Sequence, residues 1–371
     1  VETAPAAVRA NAMKVETLVE PGSNQPLDNS RLRYLTRRRA AIVISVLVCA
    51  LLVCAVVALG VGSEYVAPGS IFHALMSRLT GAAPSLSREQ EVIIFGLRLP
   101  RIGLAMSVGA ALAIAGASFQ ALLRNPLADP YVLGVSGGAA VGSITAIIFA
   151  SQFSFSRPLF GFAGAAIVTF IVYRLGRRED DPAHLALAGV VMSTFLSSVI
   201  VLMTAMADNV KLRNITLWLL GDLSSGAIEE LIFVIIAVGA GALALLPQSR
   251  ALNLMMIGER DAFALGVETA RVRWIVHLTA SLLTGAAVSS GGAIGYVGLV
   301  TPHLVRLAAG SDNRLVIPAS ALTGALMVLI ADTIARTALA PRELPTGAIT
   351  ALIGAPVFIY LLLRGRNLGS R

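Results

Sequence analysis

Residues 274–305 contain no Asp, Glu, Lys or Arg, and neither do residues 41–62. A water-soluble domain cannot hide such runs, because about a quarter of its residues are charged. Here 13% are charged and 56% hydrophobic. Lipid is the expected solvent. Glycine is abundant, at 34 residues, and lies inside apolar runs without a three-residue period, as suits helices that pack closely in a bilayer. The expected fold is all-α, a polytopic membrane protein.

A helix crosses the bilayer with about 20 apolar residues. On that measure the spans fall at 41–62, 102–123, 130–150, 158–173, 185–207, 231–246, 315–335 and 344–363, with 274–305 too long for one helix. The "SSGGAIG" stretch, 289–295, divides it into a seventh and an eighth span, making ten. Residues 1–40 are polar, carry Pro5, Pro21 and Pro26, and read as a disordered cytoplasmic tail with no signal peptide. Residues 41–371 then form one ten-helix domain.

Basic residues set the orientation. "RRR" at 37–39, "YRLGRR" at 173–178, Arg250, Arg260, Arg271, Arg273, Arg306, Arg314, Arg364 and Arg366 all fall on one side if the spans are counted as above. That side is expected to be cytoplasmic, with both termini on it. Arg98, Arg101 and Arg336 then fall on the outer side, against the trend. They either snorkel to headgroups or present guanidinium forks to an acidic partner. Asp332 lies at membrane depth, where an ionisable group is a functional candidate, but it can also pair with Arg336 at i,i+4.

In the second span Ala105, Gly109, Ala113, Ala117 and Ala121 recur every fourth residue, and Ser281, Gly285, Ser289 and Ala293 do so in the seventh. Such stripes serve close helix contact or line a path. They open two four-span blocks, spans two to five and seven to ten, which suggests an inverted repeat.

Several chemistries are missing from the sequence. Lys14 and Lys211 are the only lysines, and neither sits in a phosphate-binding loop. His73, His184, His277 and His303 are scattered without metal-ligand spacing, so no metal site is expected. The basic residues form short clusters between spans and not an aromatic-laced face, so nucleic acid is not an expected partner. Between the sixth and seventh spans, "LNLMMIGERDAFALGVETARVRW" is amphipathic. Its Met255, Ile257, Phe263, Leu265 and Val267 need a surface, either this protein's own membrane domain or a cytoplasmic partner.

The stretches "LRLPR" (97–101), "QALLRNPLADPYVLGVSGGA" (120–139), "LALAGV" (185–190), "WLLGDL" (218–223), "GERDAFALGV" (258–267), "GAIGYVGLVTPHLVR" (292–306) and "ELPTGAITALIGAPVFIYLLL" (343–363) occur in one order. Together they resemble the permease subunits of type II ABC importers for iron-siderophores, haem and cobalamin. The resemblance implies a homodimer in a bacterial inner membrane, with the path between its copies lined by the fifth and tenth spans. It implies two separate ATP-binding subunits on the cytoplasmic side, which hold ATP and Mg, and a periplasmic substrate-binding protein outside. No cofactor and no enzymatic activity belong to the permease chain itself. By position, Arg98, Arg101 and Arg336 would dock the binding protein. Gly258, Glu259, Arg260, Asp261, Ala262, Leu265 and Gly266 would couple to the ATPase. Pro182, Ala183 and His184 would form the cytoplasmic gate, where the cobalamin member has small hydroxyl residues and this chain does not. A self-contained secondary transporter or channel is the other class consistent with the composition.

Overall fold

A computed structural model describes residues 36–366, apart from 63–65, 81–86, 151, 154, 177–181 and 225. All of them belong to one compact unit, Leu35–Arg371. Every described regular element is helical. Ten helices correspond one to one with the expected spans: Arg37–Gly60, Leu99–Leu122, Val135–Phe149, Ser156–Gly176, Pro182–Ala205, Ile228–Leu245, Thr269–Gly291, Val297–Ala309, Asn313–Thr337 and Thr346–Arg366. They are called the first to tenth spans below. Seven are long and apolar enough to cross a membrane, while the third, eighth and tenth offer shorter apolar stretches.

Two boundaries differ from expectation. The first helix begins at Arg37 and not at residue 41, because the Thr36 side chain accepts a hydrogen bond from the Arg39 N–H and caps it. The remainder of the expected tail, residues 1–35, lies outside the described residues. The second span is the inner part of a 35-residue helix, Arg88–Leu122. Within it Val92–Arg98 winds as a π-helix, and the Leu99 N–H bonds to the Ile94 carbonyl. Arg98 and Arg101 therefore stand in mid-helix and not at its mouth.

The second span is the hub. It packs against the ninth, seventh, sixth and eighth spans, and Ala105, Ala113, Ala117 and Ala121 are fully buried. A Cβ built on Gly109 would stand 2.2 Å from the Gly324 carbonyl oxygen of the ninth span. One on Gly116 would stand 1.9 Å from the Gly298 carbonyl oxygen of the eighth. Backbone meets backbone at both glycines, and the buried stripe, with Gly109 in it, serves close packing. The seventh-span stripe is buried likewise at Ser281, Gly285 and Ser289.

The helix pairs also fit the two-block reading. The second span packs on the ninth as the seventh does on the fourth, the third on the fourth as the eighth on the ninth, and the third on the fifth as the eighth on the tenth. Exchanging second with seventh, third with eighth, fourth with ninth and fifth with tenth carries each of these packings into another.

The break between the seventh and eighth spans covers residues 292–296, close to the expected 289–295. Non-helical backbone at this depth needs partners from the protein. Tyr131 supplies two: its hydroxyl donates to the Ile294 carbonyl (3.1 Å) and accepts from the Ile294 N–H (3.0 Å). The Asp222 N–H bonds the Gly291 carbonyl at 3.0 Å.

Gly109→Ala is expected to lower stability by about 1–3 kcal/mol, since the second and ninth spans must part to admit a methyl group. Gly239→Ala, in the sixth span with nothing within 4 Å of its added Cβ, should be neutral or stabilising by up to about 1 kcal/mol. Thermal denaturation of the two purified variants in detergent checks the contrast in sign.

Candidate functional site

Two clusters carry the chemistry. The first lies where the second, ninth and tenth spans meet. Asp332, fully buried in the ninth span, takes two guanidiniums. Arg101 donates to its Oδ1 through Nε (3.0 Å), with Nη2 also 3.0 Å away. Arg336, one turn on, brings Nε to 3.1 Å from Oδ2, an ionic contact without hydrogen-bond alignment. Arg101 has a second partner, as Nη1 donates to Glu343 Oε2 at 2.8 Å. The Thr346 hydroxyl, at the start of the tenth span, reaches Asp332 Oδ1 at 3.3 Å.

The same arginines fasten the end of the first span. Arg98 Nη1 donates to the Leu59 carbonyl (2.8 Å) and Arg336 Nη2 to the Ala58 carbonyl (3.2 Å). Arg98, Arg101 and Arg336 are only 6%, 8% and 8% exposed, so they do not snorkel as free surface cations. They share the wall of one cavity of about 330 Å³ with Glu343. The expected Asp332–Arg336 pair is present. The Arg101–Asp332 and Arg101–Glu343 pairs join residues far apart in sequence and were not foreseen. The sole sequence signal for Glu343 is an acidic residue just ahead of an apolar span.

The second cluster lies at the opposite end of the ninth span, which at 25 residues is about 37 Å long. Asp312 caps that helix. Asn253, from the short helix Ser249–Ile257, donates through Nδ2 to Asp312 Oδ1 (2.7 Å), and its Oδ1 accepts from the Asn313 N–H and Nδ2, both at 2.9 Å. Partial burial pushes the Asp312 carboxyl up. The Arg314 N–H, the Asn253 amide and the Arg314 guanidinium outweigh that and hold it below the usual carboxylate range. Sequence reasoning did not single out Asn253, Asp312 or Asn313.

This anchor carries the amphipathic segment. Beyond Gly258 comes a second short helix, Glu259–Ala264, capped at Leu265 and followed by Gly266, whose φ of +85° suits glycine. Glu259 pairs with Arg273 of the seventh span. Of the apolar residues that need a surface, Met255 finds one in this chain, and Ile257, Phe263 and Leu265 do not. Leu252, Met255 and Ala262 are buried in this chain, whereas Ile257, Phe263 and Leu265 are 75%, 72% and 67% exposed beside the exposed Arg260 and Asp261. A surface depression of about 880 Å³ runs alongside, with Arg124 on its rim.

Pro182, Ala183 and His184 open the fifth span. His184 is exposed, and the side chains of Pro182 and Ala183 lie outside the described residues. The fifth span is little buried and leaves Thr194, Phe195, Ser197 and Ser198 exposed. Leu352, Ile359 and Tyr360 are exposed on the tenth.

Residues 50–364 match the FecCD transport family. The chain belongs to that family. It is 43% identical to the cobalamin import system permease BtuC of Halobacterium salinarum, over 73% of each chain. It is 38% identical to the hemin transport system permease HmuU of Yersinia pestis, over 74% of this chain and 84% of that one. Among solved structures it superposes on an ABC transporter assigned to the metal-chelate type, in an inward-facing conformation. The TM-score there is 0.75 at 33% identity, over 87% of this chain and 99% of the other. This FecCD permease is thus the transmembrane subunit of an ABC importer, its ATPase is a separate chain, and a self-contained secondary transporter or channel is set aside.

Arg101→Ala strips Asp332 of one of its two cations and is expected to cost about 3–5 kcal/mol. Adding Asp332→Asn should recover much of that loss, as read by thermal denaturation. Asp312→Ala is expected to cost about 1–2 kcal/mol at neutral pH. Because the folded carboxyl lies below its unfolded value, the wild-type advantage is present above roughly pH 4 and should shrink as pH falls further. Melting curves of both proteins from pH 7 downward check this.

Proposed function

We propose that two copies of this FecCD permease form the path by which cobalamin, haem or another metal chelate enters a bacterial cell across the inner membrane. Both termini and the 258–266 segment then face the cytoplasm and two ATPase subunits. The arginine cluster faces outward toward a periplasmic substrate-binding protein. The observation that carries this reading is the separation of the two clusters to opposite ends of one helix, the ninth span. The basic residues between spans support the orientation.

The chemistry of each end suits its partner. Outside, a concave site rich in guanidinium favours carboxylates. Inside, Ile257, Phe263 and Leu265 form a small apolar patch rimmed by Arg260 and Asp261, the makeup of an interface core with a polar border. The segment is held to the membrane domain by Asn253 and by the Glu259–Arg273 pair. A push on it is therefore delivered to the ninth and seventh spans. ATP would do work by favouring one facing state of the dimer over the other, with the exposed faces of the fifth and tenth spans lining the path and residues 182–184 at its inner mouth. Relatives named for cobalamin and for hemin match at similar identity, so the chelate is assigned by class.

Leu265→Glu is expected to weaken binding of the ATPase subunit by about 30-fold or more, as loss of a central apolar contact does, while leaving docking of the binding protein intact. Arg98→Gln should do the reverse, abolishing binding-protein-stimulated ATP hydrolysis and uptake without loss of the ATPase subunit. Co-purification and reconstituted uptake in proteoliposomes read both. If Arg98→Gln transports normally, the docking role fails.

A further inference from the structure

The docking site already holds a carboxylate. We infer that Glu343 is an internal placeholder, which occupies the outer N–H of Arg101 in the undocked permease and is exchanged for an acidic side chain of the binding protein when that protein seats. This rests on the docking role proposed above.

The guanidinium of Arg101 is divided between two partners of different character. Nε and Nη2 face Asp332, which has no exposure, whereas Nη1 is held at 2.8 Å by Glu343, whose side chain remains 47% exposed. Only the second bond can be traded for an incoming group without uncovering a buried charge. An ion pair open to solvent on one side is held less firmly than a fully buried one, and Glu343 regains hydration as it leaves. The charges agree with such an exchange. Among the described residues the cluster gathers three guanidiniums, Arg98, Arg101 and Arg336, and two carboxylates, Asp332 and Glu343, an excess of one positive charge. Departure of Glu343 raises the excess to two, when a carboxylate arrives. The cavity of about 330 Å³, walled by Arg98, Arg101, Arg336 and Glu343, gives the incoming side chain room.

Exchange here also has somewhere to act. The residue after Glu343 is tied down, with the Leu344 N–H on the Ala335 carbonyl at 3.0 Å. Thr346 then begins the tenth span with its hydroxyl on Asp332. Release of Glu343 leaves this short lead into a span assigned to the path held only by the Leu344 N–H and the Thr346 hydroxyl.

The test uses the complete permease–ATPase complex in nanodiscs. Its ligand is the substrate-free binding protein that restores uptake in the reconstituted system. Glu343→Gln should tighten docking about fivefold, since the competitor for Arg101 is gone. Glu343→Ala should act in the same direction, which guards against a folding defect peculiar to one variant. A change of less than about twofold, or weaker docking in both variants, with docking still lost in Arg98→Gln, makes Glu343 a structural partner and overturns the exchange while the docking site stands. Docking that persists in Arg98→Gln removes the docking site and the exchange with it.

Discussion

The second span touches its neighbours without side chains in between, and the rest of the molecule is arranged around that contact. At Gly109 it lies against the carbonyl of Gly324, and at Gly116 against that of Gly298. In lipid there is no expulsion of water to drive helices together, so close dispersion contact and paired polar groups must hold them. The same helix joins the two blocks of spans, because it packs on the seventh, eighth and ninth. It also spans the distance between the two clusters: Arg101 reaches Asp332 near its start, and toward its far end the Ala117 carbonyl accepts from Arg306 Nη2 (3.3 Å), which also donates to Asn313 Oδ1 (3.2 Å).

Polar groups placed inside such a protein must answer to each other. Asp332 is held by Arg101, Arg336 and Thr346, and Tyr131 closes the opened backbone at Ile294. Apolar groups follow the opposite logic. Ile42, Val46, Leu52 and Val53 of the first span are exposed as a lipid-facing surface should be, whereas Ile257, Phe263 and Leu265 are exposed beyond the spans, where lipid does not explain them. The uncovered face of the 258–266 segment is informative for that reason.

Much of this was legible in the residues. Ten apolar stretches became ten helices, because a charge-free run of the right length has few alternatives in a bilayer. The fourth-residue stripes of the second and seventh spans became buried contact faces, because small residues at that spacing form a flat strip on a helix. The i,i+4 spacing of Asp332 and Arg336 became an ion pair for the same local reason. Less could be read where neighbours decide. The capping of the first helix by Thr36 moved its start to Arg37, and the helix carrying Arg98 and Arg101 runs back to Arg88 through a π-helical stretch.

Sequence alone settled the solvent, the number of spans and the faces of helices, since each depends on composition or on a period shorter than one helix. Tertiary structure decided which distant residues share a site. Arg101 pairs with Asp332 across 231 positions and with Glu343 across 242, and Asn253 meets Asp312 across 59. No local rule encodes those distances. They arise because helices returning across the membrane bring their ends back to the same two levels, and because a buried charge is stable only where another helix supplies its counter-ion.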